Sequence, residues 1–201
     1  MSKQKARLAN GMEDSPRGRL LAAAAHLFRI RGFERITVRD LAQEVGIQSG
    51  SIFHHFKTKE EILRCVMEEV IHFNTQRLQR SIEQVEGCEQ RLFQLIKSEL
   101  ISISGDTGEA MAVLIFEWRC LKPESQKAIL ELRAQYEQIW LVELEQAQQK
   151  GLISKQRDLS ILRRLLSGAT AWSNYWYKSG GEMDVDALAL QTLYMIVNPK
   201  Q

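Results

Sequence analysis

Ile36-Thr37-Val38-Arg39-Asp40-Leu41-Ala42-Gln43-Glu44-Val45-Gly46-Ile47, continuing as Gln48-Ser49-Gly50-Ser51-Ile52-Phe53-His54-His55-Phe56-Lys57-Thr58-Lys59-Glu60-Glu61-Ile62-Leu63, is the stretch on which the reading of this chain turns. It spells helix, turn, helix. Thr37 can cap the first helix with Asp40 at the third helical position, and Leu41, Ala42 and Val45 supply its inner face. Gly46 tolerates a positive φ in the turn. Ile47 is expected to plug the angle between the helices, and Ile52 and Phe56 to face inward from a second helix over 49–55. What points outward is small and polar: Gln48, Ser49, Gly50, Ser51, His54 and His55. Such a surface at a helix N-terminus suits close approach to base edges and phosphates. The adjacent His54 and His55 make no metal site, because neighbours on a helix diverge by about 100° and no further ligand stands nearby in sequence. No metal is expected.

Immediately downstream, Thr58 reads as an N-cap with Glu61 three residues on, which puts Lys59 in the first turn of a new helix. A cation there opposes the helix dipole unless an anion such as a phosphate is waiting. Upstream, Ser15-Pro16 is a cap followed by proline at the first helical position, opening a helix over 16–31 with Leu20, Leu21, Ala24, Leu27 and Phe28 at helical spacing. Residues 1–14 are expected to be a mobile arm. Its Lys3, Lys5 and Arg7 fit equally an arm on DNA or a solvated tail.

Proline occurs only at 16, 123 and 199, so long helices are permitted throughout, and the glycines fall between apolar-periodic segments. The pattern predicts further helices over 59–84, 89–104, 108–120, 123–149, 158–178 and 184–197. The fold class is all-α, with the arm at 1–14, a helix-turn-helix head at 15–60 and a helical bundle at 61–201.

With 201 residues the chain allows one or two domains, and 44% hydrophobic with 26% charged residues excludes a disordered or fibrous protein. Cys65, Cys88 and Cys120 form neither a CxxC pair nor a disulfide framework, which suits a reducing compartment. The N-terminus has no apolar signal core, and no run approaches the about 18 apolar residues of a membrane span. The expected location is the cytoplasm, with no membrane partner. The formal charge of +2 conceals an asymmetry: residues 1–60 hold 11 Lys and Arg against 6 Asp and Glu, and the remainder 16 against 19. A basic head on a mildly acidic body fits a nucleic-acid partner. No nucleophile elbow, P-loop, HExxH or dinucleotide fingerprint is present, and His26 and His72 stand alone, so neither an enzyme nor a cofactor is expected.

On the residues quoted, from Ile36 to Leu63, the chain resembles the DNA-binding signature of the TetR family of bacterial repressors, and the likeness covers roughly Arg17 to Glu69. The resemblance implies that Arg39 and Gln48, Ser49, Gly50 and Ser51 face the major groove, while Thr37, His54, His55 and Lys59 hold the backbone and Phe53 is a further DNA-binding position. Phe53 stands where the family most often has Tyr, so it lacks the hydroxyl that in relatives reaches a phosphate. His54 replaces Tyr or Trp. The family's helices four to seven surround an effector, which implies a cavity near Met67, Ile71, Met111, Ile115, Trp118, Arg119, Arg133, Tyr136, Trp140 and Trp172. The ordinary reading of that aromatic and methionine stripe is core packing.

A second likeness, carried by Arg133, Tyr136-Glu137, Trp140, Gly151, Asp158, Gly168-Ala169, Trp172, Trp176-Tyr177 and Gly180-Gly181, is to members that sense acyl-CoA thioesters or breakdown products of lipids and sterols. It implies an apolar, acyl-type effector, with an aromatic one as the alternative. Arg119 and Arg133 are either its anionic anchors or ion-pair partners of Glu117 and Glu137. The last two helices are apolar over most of their circumference. The family forms two-fold dimers there, which implies an interface of Leu162, Leu165, Ala169, Trp172, Trp176, Leu190, Leu193 and Tyr194 and a roughly palindromic operator on double-stranded DNA. The expected function is a repressor released from its operator by a small effector. The alternatives are an activator of the same fold and a helical small-molecule or lipid carrier without DNA binding.

Overall fold

A computed structural model describes residues 8–178 and 180–198. Nine α-helices are found among the described residues: α1 (Pro16–Arg31), α2 (Val38–Val45), α3 (Ser49–Ile52), α4 (Lys59–Glu83), α5 (Cys88–Ser104), α6 (Gly108–Phe116), α7 (Pro123–Gln149), α8 (Leu159–Trp176) and α9 (Val185–Ile196). Single 3-10 turns lie before α1, at Ala9–Gly11, and between α6 and α7, at Trp118–Cys120. The all-α expectation holds, and the caps fall where side-chain chemistry puts them. Ser15 Oγ accepts the Gly18 N–H at 3.0 Å. Asp158 and Asp184 cap α8 and α9 through the N–H groups of Ile161 and Ala187.

Two helices are shorter than their spacing predicts. α3 stops at Ile52 because Phe53, His54 and His55 close the tighter bonds of a turn, His55 N–H donating to Ile52 O at 2.9 Å, so that Phe56 can return to the core. The segment expected as one helix over 108–120 ends at Phe116. Glu117 (φ −98°, ψ 8°) leaves helical geometry, and the Gln126 side chain takes up the carbonyls of Trp118 and Leu121.

The chain divides into two compact units. The first comprises 1–73 with 106–132, the second 74–105 with 133–201. By packing, therefore, the unit that holds the expected head at 15–60 is larger than the head: it also takes in the start of α4, α6 and the start of α7. Its core joins Leu21, Ala24 and Phe28 of α1 to Leu41 of α2, Ile52 of α3, Phe56 and Ile62, Leu63 and Val66 of α4. Burial of this kind contributes about 25 cal/mol per Å² of apolar surface. In the second unit α5 packs on α8 and α9, and Leu92, Leu95 and Ile96 meet Trp140, Leu144, Leu166, Ala189, Leu193 and Ile196.

The expected arm at 1–14 is corrected over 8–14. Met12 is wholly buried and Asn10 and Gly11 are buried with it, because this segment bonds back onto α6. Lys3, Lys5 and Arg7 lie outside the described residues.

Candidate functional site

The head is built by two caps and one glycine. Thr37 Oγ1 accepts the Asp40 N–H at 3.2 Å while Asp40 Oδ2 accepts the Thr37 N–H at 2.7 Å and its hydroxyl at 2.6 Å. These bonds, the hydroxyl first, hold the Asp40 carboxyl below its ordinary pKa. At the other end of α2, Gly46 (φ 71°, ψ 33°) adopts the left-handed conformation and returns its N–H to the last turn. α3 then leaves in a new direction, with Gln48, Gly50, Phe53, His54 and His55 exposed and Ser49 and Ser51 half-buried. Arg39 is exposed on α2. Ile47 is 40% exposed and does not plug the helix angle, whereas Ile52 and Phe56 are buried in the core of the head as expected.

Lys59 departs most from expectation. Its ammonium donates to the carbonyls of Phe33 and Ile36 at 2.9 Å each and of Glu34 at 3.4 Å, and lies 4.2 Å from the Phe33 ring centroid. Its charge is held by the carbonyl oxygens of the α1–α2 corner. Lys59 pins that corner to the start of α4, beside the Thr58 cap, where Glu61 N–H donates to Thr58 Oγ1 at 3.0 Å. Arg31 belongs to the same corner: its charge reaches Asp40 together with that of Arg39. Sequence reading passed over it, although the basic end of α1 at Arg29 and Arg31 was visible.

The expected effector residues fall into both units. Met67 and Ile71 are core side chains of the first, against which Met111 and Trp118 are half-buried, while Ile115 and Arg119 are exposed. In the second, Trp140 is fully buried, Tyr136 half-buried, Arg133 exposed and Trp172 62% exposed. Two cavities of the second unit, of about 270 and 390 Å³, are lined by other residues. One has Ile101, Tyr177 and Gly181 at the end of α5; the other has Phe93, Asp186 and Leu190 beside the start of α9.

What sequence reading missed here is a buried ionic cluster. The Arg163 guanidinium lies over the Trp140 ring at 4.2 Å and donates to both oxygens of Glu99, at 3.3 and 2.7 Å, while its Nε is 2.7 Å from Glu137. Thr170 and Tyr136 donate hydroxyl bonds to Glu99 as well, at 2.5 and 3.2 Å. Burial works against the Arg163 charge, but Glu99 and Glu137 outweigh it and raise its pKa. Burial, with Glu99 nearby, lifts the Glu137 carboxyl above its usual range despite Arg163. Glu137, expected beside Arg133, is thus the partner of Arg163. The visible signal was that Glu99 and Arg163 each fall on the inward, otherwise apolar side of their helices.

Along α8 the outward side carries Ile161, Leu165, Trp172, Tyr175 and Trp176, all exposed, with Gly168 and Ala169 exposed between them. Tyr194 and Met195 are exposed on α9. One expected interface residue is corrected: Leu193 is only 2% exposed, because it closes the core of its own unit, against which Leu162 is half-buried.

Among the described residues no helix is long and apolar enough to cross a membrane, and no group of three metal-ligating side chains occurs. A capped helix, a left-handed glycine and a short second helix with small polar residues outward define a helix-turn-helix protein of the DNA-reading class. Residues 20–66 match the tetR family of bacterial regulatory proteins, and residues 85–199 match the tetracyclin repressor-like C-terminal domain. The chain belongs to that family: it is a helix-turn-helix, DNA-binding transcriptional regulator of the repressor type and not an enzyme. It is 30% identical over 188 residues to the transcriptional repressor KstR2 of Rhodococcus jostii, covering 90% of this chain and 89% of that protein. The crystal structure of the superantigen PfiT is similar at a TM-score of 0.81 and 52% identity, over 93% of this chain and 98% of that one. The ketosteroid transcriptional regulator KstR2 of Mycobacterium tuberculosis is similar at a TM-score of 0.81 and 27% identity, over 96% and 100%.

Proposed function

We propose that this regulator docks as a two-fold dimer on a roughly palindromic operator and is released by an apolar, acyl-type or sterol-derived effector. The observation that carries the reading is the head itself, whose exposed Gln48, Gly50 and Arg39 stand on a framework held by the Thr37–Asp40 box and Gly46. Arg39 and the 48–51 segment enter the major groove, with Thr37, His54 and His55 along the backbone. Phe53, 56% exposed and without a hydroxyl, offers its ring to a thymine methyl or a sugar instead of a phosphate. Lys59 serves the groove indirectly by holding the α1–α2 corner.

The outward side of α8 with Tyr194 and Met195 of α9 supports the dimer. A row of exposed apolar side chains with Gly168 and Ala169 among them allows close helix approach about a two-fold axis. Mechanistically, an effector that binds more tightly to a conformation with mis-spaced heads draws population from the DNA-bound form. The sterol-derived class is supported by the ketosteroid description of KstR2. The place of action is the cytoplasm, where the operator lies. A thermal-shift and operator-release screen against fatty acids, acyl-CoAs, steroid acids and planar aromatics tests this. Stabilisation and release by an acyl or steroid compound is expected, and a response to planar aromatics alone overturns the effector assignment.

A further inference from the structure

The first turn of α6 is capped from a hundred residues away. Thr107, at its N-cap, makes no side-chain capping bond. Instead the Ala110 N–H donates to Asn10 Oδ1 at 3.1 Å, Asn10 Nδ2 donates to Glu109 Oε2 at 3.1 Å, and the Asn10 N–H donates to Asp106 O at 2.7 Å. The other oxygen of Glu109 lies 2.7 Å from His26 Nδ1 on α1. Asn10 accomplishes this in a left-handed conformation, φ 64° and ψ 17°. The next residue, Gly11 (φ 74°), lies so close to α4 that a Cβ there would stand 2.7 Å from the Phe73 ring. Met12 is buried, and Ser15, three residues on, caps α1.

From this geometry we infer that residues 8–12 are a coupling clamp between α6 and the reading head, with Asn10 as its positioning residue. A left-handed asparagine, a glycine with no room for a side chain and a buried methionine in sequence leave the segment one conformation. α6 cannot shift along its axis without breaking the Asn10 bonds or dragging the start of α1, and α1 packs on both α6 and α2. The clamp rests on the reading that the head docks on DNA. It gives the segment a role in linking head and α6 rather than in touching the operator.

The test is hydrogen exchange on the full chain, free and bound to a DNA fragment from upstream of its own gene. The clamp predicts that DNA slows exchange at the Ala110 and Met111 amides of the unsubstituted protein, by about fivefold or more. In Asn10→Gly, which keeps the left-handed backbone, that DNA-dependent slowing disappears while the slowing at 48–52 persists. Asn10→Asp combined with Glu109→Gln reverses donor and acceptor across the same bond and restores it. A merely structural cap would raise exchange in Asn10→Gly equally with and without DNA. An α6 insensitive to DNA in the unsubstituted protein overturns the clamp whatever the variants do, as does slowing that survives Asn10→Gly. Loss of slowing at 48–52 itself would refute the DNA-docking reading instead.

Discussion

Replacing Lys59 by Met keeps the aliphatic stem and removes the ammonium, which separates two roles for this residue. In the structure the ammonium donates to three backbone carbonyls, two of them part-buried at 2.9 Å and one exposed at 3.4 Å. A hydrogen bond to a charged group contributes about 1.5–3 kcal/mol when shielded, and water can replace the exposed one. Removing a cation from the first turn of α4 returns about 0.3–1 kcal/mol through the helix dipole. The balance is a loss of about 2–6 kcal/mol, measurable by urea unfolding as a lower midpoint at unchanged slope. Operator affinity should fall in parallel at every salt concentration, with the slope of log K against log salt unaltered. Had Lys59 been a phosphate ligand, stability would stay within about 0.5 kcal/mol and the slope for the dimer would become shallower by about 1.8, about 0.9 for the Lys59 of each protomer. That second pattern refutes the pin.

Three further perturbations follow from the geometry. Asp40 has a depressed pKa in the folded head, so its contribution is present above the unfolded value and is lost as pH falls through the folded one. The melting temperature of Thr37→Val should lie below that of the unsubstituted protein at pH 7, and the gap should narrow below about pH 4. In the buried cluster, Arg163→Met strands two carboxylates and should cost about 3–5 kcal/mol. By contrast, the Glu137 carboxyl is already raised, so Glu137→Gln should stay within about 1 kcal/mol by chemical denaturation. Equal losses for the two would contradict this division of roles. On the dimer face, Leu165→Glu, at a side chain 69% exposed in one protomer, should leave the melting temperature of a dilute sample intact and shift sedimentation to a 23.1 kDa species. A dimer that persists would place the interface elsewhere.

How much of this was legible in the sequence depended on how far apart the partners stand. The Thr37–Asp40 box, Gly46, the Thr58–Glu61 pair and the inward Ile52 and Phe56 are local, and each appears where side-chain chemistry puts it. The early end of α3 is local too, but it was hidden because the residues at 53–55 keep a helical spacing while making the tighter bonds of a turn. The carbonyl partners of Lys59 were hidden because they are backbone groups 23 to 26 residues upstream, which no side-chain pattern announces. The same holds for Asn10, whose partners lie 99 and 100 residues away. Glu99 and Arg163 were readable as charges on apolar helix faces, yet only the fold brings α5 and α8 together so that one neutralises the other. Leu193 looked like interface because a helix apolar on several sides does not say which side its own protomer claims.

The central claim, that the 37–51 surface reads an operator through paired heads, is tested most directly by footprinting the full chain on DNA from upstream of its own gene. The account predicts two protected half-sites whose centres lie about 34 Å, one helical turn, or a multiple of it apart. Arg39→Ala and Gln48→Ala should abolish protection of both together. Protection of a single unpaired site, or protection unchanged in both variants, would contradict it.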